Sequence, residues 1–93
     1  MIQVNEYFNG NVKSLGLESA EGKATVGVIA AGEYAFGTST LEVMTVISGK
    51  LLVKQQGETD WKPYKKFESF VVPKDSKFKV KAEEAVPYFC LYK

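Results

Sequence analysis

The sequence predicts an all-β fold, an antiparallel sandwich or small barrel, on three observations. No segment carries the apolar period of an amphipathic helix. β-Branched and aromatic runs of strand length recur, with turn signals between them about every eight to twelve residues. Residues 77–82, Lys77-Phe78-Lys79-Val80-Lys81-Ala82, alternate polar and apolar without a break, as a strand with one dry and one solvated face does.

The elements follow in chain order. Ile2 and Val4 alternate, so the irregular start (1–16) is expected to pair as a strand at an edge or across a dimer. Asn9-Gly10 signals a turn, with a strand over 12–17 after it. Residues 24–30 are β-branched and close at Ala31-Gly32-Glu33, a turn signal. A strand over 41–47 ends at Ser48-Gly49-Lys50, and another covers 51–54. Gln56-Gly57-Glu58-Thr59 turns that one back into 61–64. Phe70-Val71-Val72 runs into Pro73, and Lys74-Asp75-Ser76 makes the next turn before the alternating strand. Tyr88-Phe89-Cys90-Leu91-Tyr92 is the last strand. There is no repeat, linker or low-complexity tract, so residues 1–93 are read as one domain. A chain this short buries only about 60–65% of its unfolded surface, which leaves no room for a second core.

Composition excludes several functions. Twelve lysines against eleven carboxylates leave a net charge of +1, too balanced for a nucleic-acid coat or a polybasic membrane surface. With no arginine, bidentate clamping of phosphate or guanine is ruled out. With no histidine, the commonest metal ligand and the commonest general base near neutral pH are both missing. The lone Cys90 can form neither an intrachain disulfide nor a zinc cluster. No basic stretch followed by an apolar run opens the chain, and the apolar runs are far short of a membrane span. A cytoplasmic protein is the expectation.

The passage Gly32-Glu33-Tyr34-Ala35-Phe36-Gly37-Thr38, with Glu42 and Gly49, resembles the first cupin motif. That motif sets a His-x-His pair before a glutamate, and Glu42 and Gly49 keep its glutamate-to-glycine spacing of seven. A turn before an alternating strand around Pro73 resembles the second motif. Further stretches are similar to the small bacterial pyrimidine/purine nucleoside phosphorylase family: Asn5-Glu6-Tyr7-Phe8, Val12-Lys13-Ser14, Val26-Gly27-Val28 and Met44-Thr45-Val46-Ile47-Ser48-Gly49. Trp61, Tyr64, Val72-Pro73, Phe78, Tyr88, Cys90 and Tyr92 extend the likeness from about residue 3 to 92. The resemblance implies a cytoplasmic, homodimeric cupin, an antiparallel jelly-roll barrel, that splits purine and pyrimidine nucleosides with phosphate into free base and ribose 1-phosphate. One departure is visible. Phe67, six residues before Pro73, stands where cupins carry glycine, which puts the local turn in question.

Carried over from the cupin motif, the four metal-ligand positions fall on Phe36, Thr38, Glu42 and Phe78. Benzyl rings donate no electron pair, and a single carboxylate does not hold a transition metal tightly, so no catalytic metal and no cofactor are expected. The resemblance implies inorganic phosphate as a co-substrate. If Phe36, Thr38 and Glu42 face inward, strand parity turns Thr40, Met44, Val46 and Ser48 inward too, provided no bulge intervenes. Phe36 and Phe78 then offer rings to a base, beside Met44 and Tyr88. Glu42 and Thr38 are the candidate catalytic residues. Glu42 accepts hydrogen bonds from ribose hydroxyls or stabilises positive charge growing on the sugar. Thr38, Ser39 and Thr40 offer donors to phosphate, and Lys13 is the favoured cation. Plainer readings stand beside these: core packing for the rings and Tyr88, a structural anchor for Glu42, a solvated loop for 38–40, an exposed lysine at 13. A non-catalytic nucleoside- or sugar-binding cupin is the alternative function. A metal-dependent isomerase or oxygenase is disfavoured by the missing histidines.

Overall fold

A computed structural model describes residues 2–93, and Met1 lies outside the described residues. Ten strands account for the regular structure: β1 Gln3–Tyr7, β2 Val12–Ser19, β3 Gly22–Ile29, β4 Gly32–Gly37 and β5 Glu42–Val46 come first. β6 Lys50–Gln55, β7 Lys62–Lys65, β8 Ser69–Val72, β9 Lys77–Ala82 and β10 Val86–Tyr92 follow. All pair antiparallel, in a six-stranded sheet β1-β2-β3-β10-β5-β8 and a four-stranded sheet β4-β9-β6-β7. No helix among the described residues is long and apolar enough to cross a membrane.

The all-β expectation holds, and strand alternation explains how the sheets meet. Inward residues of the large sheet, such as Val12, Ile29, Met44, Val46, Val72 and Cys90, are buried. They pack against Tyr34, Leu51, Val53, Phe78 and Val80 from the small sheet in one apolar cluster. Fully burying a side chain of this size contributes about 1.5–3 kcal/mol, so the cluster dominates the stability of a chain with few polar anchors. β9 has the bounds its alternation predicts, and β1 is the edge strand expected of the irregular start.

Two expectations are corrected. The segment read as a turn at Ala31-Gly32-Glu33 opens a further strand, β4, in which Tyr34 is buried and Phe36 half-buried. Strand parity also does not run unbroken from Phe36 to Ser48. Residues 38–41 leave the strand conformation, and Ser48 lies exposed beyond the end of β5. Met44 and Val46 do point inward, because they sit within β5.

Trp61 lies just before β7 on the outside of the small sheet, where the ammonium groups of Lys54 and Lys81 approach its ring at 4.9 and 4.8 Å. The Phe67 turn forms despite the missing glycine. Glu68 N–H closes it onto Lys65 O at 2.9 Å, and Phe67 N–H donates to Val46 O at 2.6 Å. Phe67 takes φ +67° with 69% of its surface exposed. Third positions of such turns favour glycine because a Cβ is strained there. Phe67→Gly is therefore expected to stabilise the fold by about 1 kcal/mol, the relieved strain exceeding the chain entropy of glycine. A lower denaturant midpoint for the variant would show that the turn is not under this strain.

Candidate active site

The inward parity of five neighbouring strands builds the site. β1 contributes Asn5 and Tyr7, β2 Ser14, β3 Thr25, β5 Glu42 and Met44, and β10 Tyr88, Cys90 and Tyr92. They surround two joined chambers. The inner one, about 210 Å³, is walled by Phe36, Phe78, Met44, Tyr88 and Cys90. The outer one, about 470 Å³, is lined by Asn5, Glu18, Lys23, Thr25, Ser39 and Thr40 among others. Tyr7, Gly37, Glu42 and Tyr92 line both, so Glu42 stands at the neck. The inner chamber alone falls below the roughly 300–1,000 Å³ of small-molecule pockets, and the pair together lies within it.

Glycine placement opens the inner chamber. Gly27 on β3 pairs across from Tyr88 on β10. A Cβ on Gly27 would sit 2.7 Å from the Tyr88 hydroxyl oxygen and 2.6 Å from the Lys13 carbonyl oxygen. The missing side chain thus lets the phenol lie across bare backbone and reach Ser14, whose hydroxyl also accepts from Asn5 Nδ2 at 3.3 Å. Tyr92 and Thr25 share a hydroxyl–hydroxyl hydrogen bond of 3.0 Å. The rings of Phe36 and Phe78 stack with centroids 5.5 Å apart, and Phe8 meets Phe36 edge-on.

Burial sets the charge states. It raises the Glu42 carboxyl above its ordinary value of 4.5, partly offset by the Cys90 thiol, which donates to Glu42 Oε1 at 3.5 Å. Burial, reinforced by the Glu42 charge, pushes the Cys90 thiol up to about 12. Burial pushes Tyr88 up to about 12 as well, and raises Tyr92. At neutral pH the thiol and these phenols are uncharged donors, and Glu42 is the one carboxyl group lining the inner chamber.

Most of the residues singled out from the sequence converge here. Phe36, Met44, Phe78 and Tyr88 line the inner chamber, Ser39 and Thr40 the outer one, and Glu42 both. Thr38 and Lys13 do not join them. Thr38 Oγ1 donates to Pro73 O at 2.6 Å and accepts from Ser76 N–H at 2.9 Å, tying the loop after β4 to the turn after β8. Lys13 projects from the outer face of β2 and pairs with Glu6 at 3.2 Å. Sequence reasoning missed Tyr7 and Lys23. Alternation along β1 carries the signal for Tyr7, and alternation through the β2–β3 hairpin carries it for Lys23.

A cupin-type metal does not fit these side chains. Two of its four ligand positions carry benzyl groups, the Thr38 hydroxyl is engaged elsewhere, and the thiol beside Glu42 is protonated. Among the described residues no three His, Cys, Asp or Glu side chains gather into a metal-holding group.

The fold is cupin-like. The EutQ protein of Clostridium difficile superposes with a TM-score of 0.74 at 18% identity, over 97% of this chain and 79% of that one. A protein of unknown function from Vibrio parahaemolyticus superposes at 0.93 with 46% identity, over 97% and 96%. The family model described as pyrimidine/purine nucleoside phosphorylase matches residues 2–92. A protein of that name from Tolumonas auensis is 50% identical over the full length of both chains. The chain belongs to the pyrimidine/purine nucleoside phosphorylase family.

The raised Glu42 value has a consequence for stability. The folded chain binds this proton more tightly than the unfolded chain, so between 4.5 and the raised value the folded state holds more protons. Ionising Glu42 therefore removes stability as pH rises through that window. Glu42→Gln is expected to melt at a higher temperature than the parent at pH 7, with the gap closing toward pH 4. Equal gaps at both values would mean that the carboxylate is not strained by burial.

Proposed function

We propose that this protein catalyses phosphorolysis of purine and pyrimidine ribonucleosides, without a metal, to free base and α-D-ribose 1-phosphate. The observation that carries the reading is a half-buried carboxylate at the neck between a ring-walled chamber and a polar one. In this reading the base occupies the inner chamber against the Phe36–Phe78 wall, with Met44 and Tyr88 beside it. Contact with ring faces and a thioether tolerates either class of base. The ribose lies at the neck, its hydroxyls hydrogen-bonded to Glu42. Phosphate enters from the outer chamber past Ser39 and Thr40, on the side of the sugar opposite the base. That approach inverts the anomeric carbon, which turns a β-nucleoside into the α-phosphate ester.

The chemistry balances without a protein acid. The C1′–N bond breaks with its electron pair leaving on the base, and a phosphate oxygen forms the new C1′–O bond. Hydrogen phosphate brings one proton that the ester product does not keep, and this proton ends on the base. Positive charge grows on the sugar as the bond to nitrogen breaks, and the Glu42 carboxylate, poorly solvated, stabilises it at close range. Thr38 acts as a positioning residue, because its hydrogen bonds fix the loop that presents Ser39 and Thr40.

With uridine or inosine and phosphate, the purified cytoplasmic protein is expected to release base and ribose 1-phosphate at a rate that EDTA leaves unchanged. Glu42→Gln should lose about a hundredfold or more in kcat. Base release without phosphate would identify a hydrolase instead. Ligand binding by calorimetry with no product would identify a non-catalytic binding protein.

A homodimer belongs to the same reading, with a second copy on the outer face of the six-stranded sheet rather than on an edge strand. Val4, Leu15 and Val26 form one cross-strand row there, exposed by 66%, 46% and 40%. Leu17, Val28 and Val71 are also exposed. Contiguous apolar surface of this kind is uncommon on a monomer. Leu15→Lys with Val26→Lys is expected to halve the sedimenting mass, and a wild-type protein that sediments as a monomer overturns the assignment.

A further inference from the structure

We infer that Lys23 is the cation that receives phosphate in the outer chamber, an assignment that rests on the phosphorolysis reading and deepens it. A dianion must approach a neck already carrying the Glu42 carboxylate, so an uncompensated entry would be repelled. The chain holds no arginine, and among the described residues Lys23 alone supplies a cation to the lining of either chamber. Its place follows from the hairpin. Glu18 and Lys23 are register partners on β2 and β3, and inward parity shared with Thr25 turns Lys23 toward the chamber that Ser39 and Thr40 line.

Lys23 forms no ion pair among the described residues, although Glu18 lines the same chamber. Its ammonium is therefore available to an incoming anion, whereas Lys13 faces away and is paired with Glu6. The hydroxyls of Ser39 and Thr40 supply further donors to the phosphate oxygens, which lack the fork that an arginine would provide.

The test is steady-state kinetics with uridine and inorganic phosphate varied separately. Lys23→Ala is expected to raise KM for phosphate roughly tenfold, the loss of one charge-assisted contact, and to leave KM for uridine within about twofold. Lys23→Arg should recover most of the difference, and Lys13→Ala should change neither constant. An unchanged KM for phosphate in Lys23→Ala, or a parallel rise in both constants, overturns the assignment. A wild-type protein that leaves uridine intact at saturating phosphate overturns the phosphorolysis reading itself, so the two failures are told apart.

Discussion

The arrangement depends on one desolvated negative charge. Glu42 opens β5, the strand next to the β8 edge of the larger sheet, and points between the two sheets, where burial disfavours its ionised form. Among the described residues no lysine forms an ion pair with it. A protonated thiol on the adjacent strand is its hydrogen-bond partner, a weak donor that leaves most of the carboxylate's capacity unfilled. A structural carboxylate in such a place would be matched by a cation or several amide groups. In the proposed reading, that unfilled capacity serves a polyhydroxylated, transiently cationic sugar at the neck between the two chambers.

The backbone around this charge is shaped to leave room. Gly27 removes a side chain where the Tyr88 ring must cross. Thr38 links two loops that are far apart in sequence, so the position of Ser39 and Thr40 is set by the turn at 73–76 as much as by the strands they follow. The large sheet thus has two distinct faces. Its inner side lines both chambers, and its outer side carries the exposed row of Val4, Leu15 and Val26.

Much of this was legible in the residues, for reasons that differ from element to element. β9 is written in strict alternation, and β10 in alternating tyrosines and a cysteine, so their inward sets could be read directly. Glu42 was legible from its spacing to Gly49 and from the cost of a carboxylate on an inward strand position. β4 was hidden because glycines bound it at both ends and imitate a turn. Thr38 has no local signal at all, since its partners lie some thirty-five residues away. Lys13 and Lys23 differ in the face that register gives them. Alternation from the buried Val12 already turns Lys13 outward, but carrying that parity round to β3 requires the Ser19–Gly22 pairing, which the sequence alone does not fix.

The single tryptophan, flanked by two ammonium groups on the outer surface, has a spectroscopic consequence. Trp61 lines neither chamber, so its emission reports on the small sheet and stays silent when the cavity fills. Tyr7, Tyr88 and Tyr92 line the inner chamber, so a ligand bound there would be read in their near-ultraviolet dichroism. One chain therefore carries two independent optical reporters, one for the integrity of its shell and one for its contents.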